Sequence, residues 1–355
     1  MAPRPFPQRL SREVAKSGGA QWAPVSHSVG SREVVVSGFA HVGAWRQGDE
    51  DGGCEFVVQG GFVPNKVLTN LSLVSALAAS WLFAADPTFL RRSVGDIQPQ
   101  SDDLTANARA AIYKPIFGVG DRQASQLKGI ARYGELTVEP DGTTAVVSYP
   151  AEEQLYYILD GEGTLLYEDQ KAPVKKDDFM YLPINVKHGM ANTSNRPVRL
   201  LVMGFKIPQS ANVALTAKLM LANAADVKLV PVQGHGPTSL FKLLMGTTQS
   251  TRDKLSAANQ MVSLFIMDFA PGGTNIPHHH DNAEEIYYIL KGHGEMVAGG
   301  GADGNEGRYP AKEGDAYFIR LNTTVGFYSG SKEGEPHDLV LAVRSNYPRM
   351  RRGDQ

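Results

Sequence analysis

A chain of 355 residues with 35 Lys+Arg against 37 Asp+Glu carries a net charge of -2. No run of basic residues is long enough to track phosphates, so nucleic acid is excluded as an expected partner. Hydrophobic residues at 42% and charged residues at 20% belong to a folded chain with a real core rather than a disordered one, and the length suggests two or three domains.

Cys54 is the single cysteine, which excludes an intramolecular disulfide and a thiolate metal cluster. Any metal must then be held by nitrogen and oxygen. The 37 glycines and 21 prolines favour a turn-rich, β-dominated fold.

In chain order, residues 1–62 are rich in Arg, Pro, Gly and Ser and show no sustained helical or strand period. They read as a disordered or non-native extension. Residues 63–85 follow: Val63-Pro64-Asn65-Lys66, then an apolar run from Val67 to Ala85, then Asp86-Pro87. A positive charge, an apolar stretch and small residues before a polar break form the pattern of a secretory signal peptide, with translation then starting near Val63. A membrane anchor or a buried helix are the competing readings of the same run. A signal peptide makes the protein exported, to the periplasm or the outside; otherwise it is cytoplasmic. Cleavage near Ala85 would remove Cys54 and leave no cysteine, compatible with an oxidising compartment.

Beyond residue 86 the chain repeats itself. Glu153-Gln154-Leu155-Tyr156-Tyr157-Ile158-Leu159-Asp160-Gly161 matches Glu284-Glu285-Ile286-Tyr287-Tyr288-Ile289-Leu290-Lys291-Gly292 at an offset of 131, and Asp178–Asn185 matches Asp315–Asn322 at an offset of 137. The six extra residues fall in the Gly-rich stretch Gly299–Gly307, where a hairpin loop tolerates insertion. Both copies consist of short β-branched and aromatic runs between turn residues, the pattern of a sandwich or barrel. The division is 86–207 for the first copy, 208–234 for a linker, and 235–348 for the second copy. Ala211–Ala224 is rich in helix formers and predicts a short connecting helix. One residue of each pair, Tyr156-Tyr157 and Tyr287-Tyr288, is expected in the core.

The second copy carries the residues with chemistry. From Gly272 to Gly292 the spacing is G-x5-H-x-H-x4-E-x6-G, through His278, His280 and Glu285. On an extended chain, residues two apart share a face, so His278 and His280 face together while His279 turns away. Glu284 is expected to face away as well. Two imidazoles and a carboxylate suit one divalent transition metal: Fe, Mn, Ni, Cu or Zn.

This spacing resembles the first signature of the cupin superfamily, and Gly314–Phe327 resembles the second. The match covers about residues 110–206 and 235–347, so the chain resembles a bicupin. The resemblance implies an all-β fold of two tandem jelly-roll barrels. It also implies a metal held by two histidines and a glutamate of the first signature and a histidine of the second. Those positions map onto His278, His280 and Glu285, but the fourth is Val325, which cannot coordinate. The expected set is therefore His/His/Glu with open positions, or one in which Tyr328 or His337 fills the fourth.

In the first copy the same positions hold Val147, Tyr149, Gln154 and His188, so that barrel is expected to be metal-free. His188, Tyr149 and Gln154 remain as contacts for a ligand.

Three functions follow. The first is a dioxygenase-like oxidoreductase acting on a small oxygen-rich substrate such as a phenol, keto acid or sugar. The second is a redox-neutral isomerase or lyase, for which no base is evident. The third is a secreted, non-catalytic binding or structural protein, because cupins support unrelated functions. A small-molecule ligand and a homodimer are the expected partners.

Overall fold

The computed structural model of the protein describes residues 46–47, 54–55, 88–209, 211, 213, 218–300 and 306–347. The signal-peptide-like segment lies outside them. The chain divides into two units, Met1–Ser80 and Trp81–Gln355. In the first, Arg46–Gln47 pairs antiparallel with Cys54–Glu55. The second unit holds both repeats.

Each repeat is built on the alternation of side chains across an extended strand. In the first, the sheet runs in the order Met220–Asn223, Asp178–Leu182, Glu152–Asp160, Val198–Lys206, Ile130–Thr143, His188–Ala191, Glu162–Tyr167 and Gln170–Lys175, with Arg109–Gly118 added beside Ile130–Thr143. In the second, Leu229–Val230, Ser239–Thr247, Met261–Phe269, Asp338–Asn346, Ala283–Lys291, Asp315–Ile319 and Phe89–Ser93 form one curled sheet. His293–Gly299, flanked by Gly307–Lys312 and Thr324–Ser329, forms the other. The result is two tandem jelly-roll barrels, as expected.

The two motif strands are buried on both faces. Tyr156 packs inside the first barrel with Leu136, Leu165 and Val202, and Tyr287 packs inside the second with Phe265, Tyr317 and Phe327. Tyr157 and Tyr288 turn the other way into a shared core with Leu155, Met203, Ile286, Phe318 and Leu341. Both tyrosines of each pair are therefore in a core, one inside its barrel and one between the barrels. A strand covered on both faces loses the polar alternation of a half-exposed one, which accounts for the unbroken apolar run in each motif.

Two boundaries differ from the expectation. Phe89–Ser93, which precedes the first barrel, pairs with Asp315–Ile319 of the second. Met220–Asn223, in the linker, pairs with Asp178–Leu182 of the first. Each barrel thus takes one strand from the segment preceding the other. The helix expected over Ala211–Ala224 is, in its described part, this strand followed by a 3-10 turn at Ala224–Asp226. The unpaired edge of Asp178–Leu182 supplies backbone partners, and that pairing overrides the helix propensity of Met, Leu and Ala.

Glu153 and Glu284 fasten the barrels together. Glu284 accepts hydrogen bonds from the backbone N–H groups of Lys128, Gly129 and Ile130, at 2.7 Å from Gly129 and 2.8 Å from Ile130. Glu153 accepts from Asn259, Gln260 and Met261 at 2.8, 2.7 and 2.8 Å, and from the Tyr181 hydroxyl at 2.8 Å. The two groups of amides are themselves 131 residues apart. Glu284 does face away from His278 and His280, as expected, and its role is in the interface.

Candidate metal centre

The second barrel brings His278, His280 and Glu285 together, with one donor atom from each lying within 4.8 Å of the others. Glu285 comes from the Ala283–Lys291 strand and points into the barrel beside Tyr287. The histidines lie on the chain leading up to it. That chain is extended and is held by two isolated bridges, Thr274 to Tyr328 and His278 to Val325, the latter with backbone hydrogen bonds of 2.9 and 2.8 Å. His279 is exposed and turned away. Gly292 closes the motif in a turn at φ 84°, where a Cβ would collide with the Asp338 carboxylate, so no other residue fits there.

The donors are prepared for a cation. His278 Nδ1–H donates to the Ile276 carbonyl at 2.9 Å, which leaves Nε2 with its lone pair; this second-sphere bond is the usual orientation of a ligating imidazole. The His278 and His280 rings meet edge to face, 4.9 Å between centres. His280 Nε2 lies 3.3 Å from Glu285 Oε2, and Arg344 Nε lies 3.2 Å from Oε1. These approaches are poorly aligned for hydrogen bonding. His280 Nε2, both Glu285 oxygens and Arg344 Nε are buried without a hydrogen-bond partner among the described residues. A set of orphaned nitrogen and oxygen donors in an otherwise apolar barrel fits a bound metal ion better than a closed polar network. Burial works against the Glu285 charge, yet Arg344 and the two imidazoles outweigh it and hold its pKa below the ordinary carboxylate value. Burial lowers the pKa of His278. Both shifts favour the protonation states that bind metals.

Val325 is fully buried among Phe241, Phe265 and Phe327. Neither residue weighed as a substitute joins the donors. Tyr328 lies under the Arg308 guanidinium, 4.1 Å from its ring centre, and His337 is paired with Asp268.

Arg344 was not legible as a site residue. It pairs in register with both Glu285 and Ser263, while its counterpart in the first barrel, Gly204, pairs with Gln154 and Arg132. Guanidinium and small residue have exchanged strands between the two copies, so linear alignment sets Arg344 against a glycine.

Among the described residues the first barrel brings together no comparable donor set. Val147 and His188 form the same bridge as His278 and Val325, with the histidine on the opposite strand. His188 Nδ1–H donates to the Val186 carbonyl at 3.0 Å, and Nε2 lies 3.2 Å from Gln154 Oε1. Tyr149 stands 5.8 Å from the His188 ring and is covered by the Arg132 guanidinium at 4.6 Å. Arg132 in turn bonds Asp103 and Glu152, both at 2.8 Å. His188, Tyr149 and Gln154 do converge, but around a protein cation.

Burial pushes the His188 pKa down to about 4. A buried imidazole with a lowered pKa stays neutral, while the unfolded chain takes up the proton near pH 6.5. Stability should therefore fall as the pH drops from 6.5 toward 4, by up to about 3 kcal/mol from this group. Denaturant unfolding at pH 7 and pH 4.5 checks this: His188→Gln should lessen the acid loss. An unchanged pH dependence in that variant would remove His188 as its source.

Two stretches of the chain, residues 134–204 and 265–335, match the cupin domain family, one in each barrel. The chain belongs to the cupin superfamily and is a bicupin. It is 30% identical over 79 residues to an uncharacterized protein of Methanocaldococcus jannaschii, a match spanning 22% of this chain and 63% of that protein, less than two thirds of its length. Its fold resembles protein Ylba from E. coli (TM-score 0.57, 14% identity, 77% of this chain and 98% of that one). It also resembles a variant of Bacillus subtilis oxalate decarboxylase (TM-score 0.53, 12% identity, 73% and 77%).

Proposed function

We propose that the protein is a metal-dependent cupin that acts on a small oxygen-rich acid through His278, His280 and Glu285, with oxidation by dioxygen as the leading reaction class. The observation that carries this reading is Arg344. Its guanidinium stacks 5.1 Å over Phe265 and lies against Glu285, so a cation adjoins the position where an anionic ligand would reach the metal. A divalent ion held there supplies Lewis acidity or one-electron chemistry. Arg344 fixes a substrate carboxylate by charge-assisted hydrogen bonds, and Phe241, Phe265 and Phe327 keep water out. The named activity of the Bacillus subtilis neighbour, on oxalate, and its Mn(II) centres support a small carboxylate and a divalent ion. The same reading has the protein exported by way of residues 63–85.

Oxalate is a suitable probe. Calorimetry on the metal-loaded protein should show binding that disappears without metal and weakens about 10- to 100-fold in Arg344→Ala, the loss expected for one charge-assisted contact. Binding indifferent to both metal and Arg344 would defeat the proposal. Oxygen uptake with keto acids separates the oxidative branch from a redox-neutral one.

A further inference from the structure

Among the described residues a third histidine stands against His278, outside the group of three whose donor atoms lie within 4.8 Å of one another, and it lies outside both signatures. His235 precedes the Ser239–Thr247 strand. Its ring meets that of His278 edge to face, 4.8 Å between centres and 81° between planes, nearly repeating the 4.9 Å and 82° between His278 and His280. Imidazoles in neighbouring positions of one ion, with metal–nitrogen bonds of about 2.1 Å, have ring centres roughly 4.5 Å apart. Both spacings are close to that value.

The orientation of His235 agrees. Its Nδ1–H donates to the Asn275 carbonyl at 3.2 Å, one residue before the carbonyl that takes His278. Adjacent carbonyls of one segment thus fix both imidazoles in the same tautomer and leave Nε2 of each as the donor. The backbone is held as well: the Ser239 hydroxyl donates to the His235 carbonyl at 3.0 Å. Gly234 and Gly236 flank it at φ 88° and 77°, allowing the short excursion that brings His235 to the barrel mouth. The ring rests on Phe241, 4.9 Å between centres.

The first barrel uses the corresponding approach in the same way. Asp102 and Asp103, shortly before the Arg109–Gly118 strand, reach inward to Arg132, and Arg132 covers Tyr149, the counterpart of His280. In both barrels the segment ahead of this strand delivers polar groups to the mouth.

We infer that His235 is the third imidazole of the metal centre and supplies the nitrogen that Val325 does not. This rests on the proposed metal site and changes its composition to three histidines and one glutamate, drawn from two separate stretches of chain.

The test uses full-length protein loaded with Zn(II). Affinity is measured by competition with a chelator, and imidazoles are counted by X-ray absorption, for wild type, His235→Ala, His235→Phe and His280→Ala. His235→Phe keeps the packing on Phe241 and removes only the nitrogen. Wild type should show three imidazoles. Both His235 variants should show two and bind at least about 100-fold more weakly, beyond the 10- to 100-fold loss of an outer-sphere change, while melting as cooperatively as wild type. Two imidazoles in wild type with unchanged affinity in both His235 variants would overturn the inference and leave the three-donor site standing. Failure of wild type to bind metal, with His280→Ala indistinguishable from it, would overturn the site itself and the inference with it.

Discussion

Glu284→Ala and Glu153→Ala should each destabilise the folded protein by about 3 kcal/mol, because each exposes the same weakness. Removing either carboxylate leaves three backbone N–H groups in the inter-barrel core without an acceptor, and an orphaned buried donor costs roughly 1–3 kcal/mol. Partial entry of water explains why the sum is not the full amount. Glu284 is fully buried and receives Lys128, Gly129 and Ile130. Glu153 is fully buried and receives Asn259, Gln260 and Met261. Since the two clasps fix the same interface, the double variant should be less stable still and should lose the single cooperative transition as the barrels uncouple. Denaturant unfolding followed by two probes checks this. Glu162→Ala, on an exposed strand position, should stay within about 0.5 kcal/mol of wild type. Losses that small at Glu153 and Glu284 would show that the clasps do not hold the barrels.

The repeat itself was legible because duplicated strands keep their register: Glu153 and Glu284, Tyr156 and Tyr287, Gly161 and Gly292 fall in line without knowledge of the fold. The His278, His280 and Glu285 set was legible for the same reason, since spacing along one chain segment determines which side chains share a face. What pairing between strands decides was not. The exchange of Phe89–Ser93 and Met220–Asn223 between barrels depends on which sheet edge is free, and no local pattern records that. Arg344 escaped because its counterpart is Gly204, and His235 because it lies ahead of the motif and approaches only when the barrel closes. Of each tyrosine pair only one is expected in a core; Tyr157 and Tyr288 are buried as well because each barrel covers the outer face of the other's motif strand, a covering that only the assembled fold shows.

The second large effect concerns the metal. His280→Ala removes one of the three clustered donors and leaves Glu285 with His278 and Arg344. Second-sphere changes already weaken metal binding 10- to 100-fold, so loss of a direct ligand should cost at least about 100-fold and strip the ion during dialysis. His188→Gln changes the histidine of the first barrel, at the position matching Val325, where Arg132 and its carboxylates occupy the mouth, and should leave metal binding intact. The ratio of bound Mn(II) or Zn(II) to protein after loading and dialysis therefore tests the account most directly. It should be one per chain in wild type, near zero in His280→Ala, and one in His188→Gln. A ratio that His280→Ala leaves unchanged, or that His188→Gln lowers, would contradict a single centre in the second barrel.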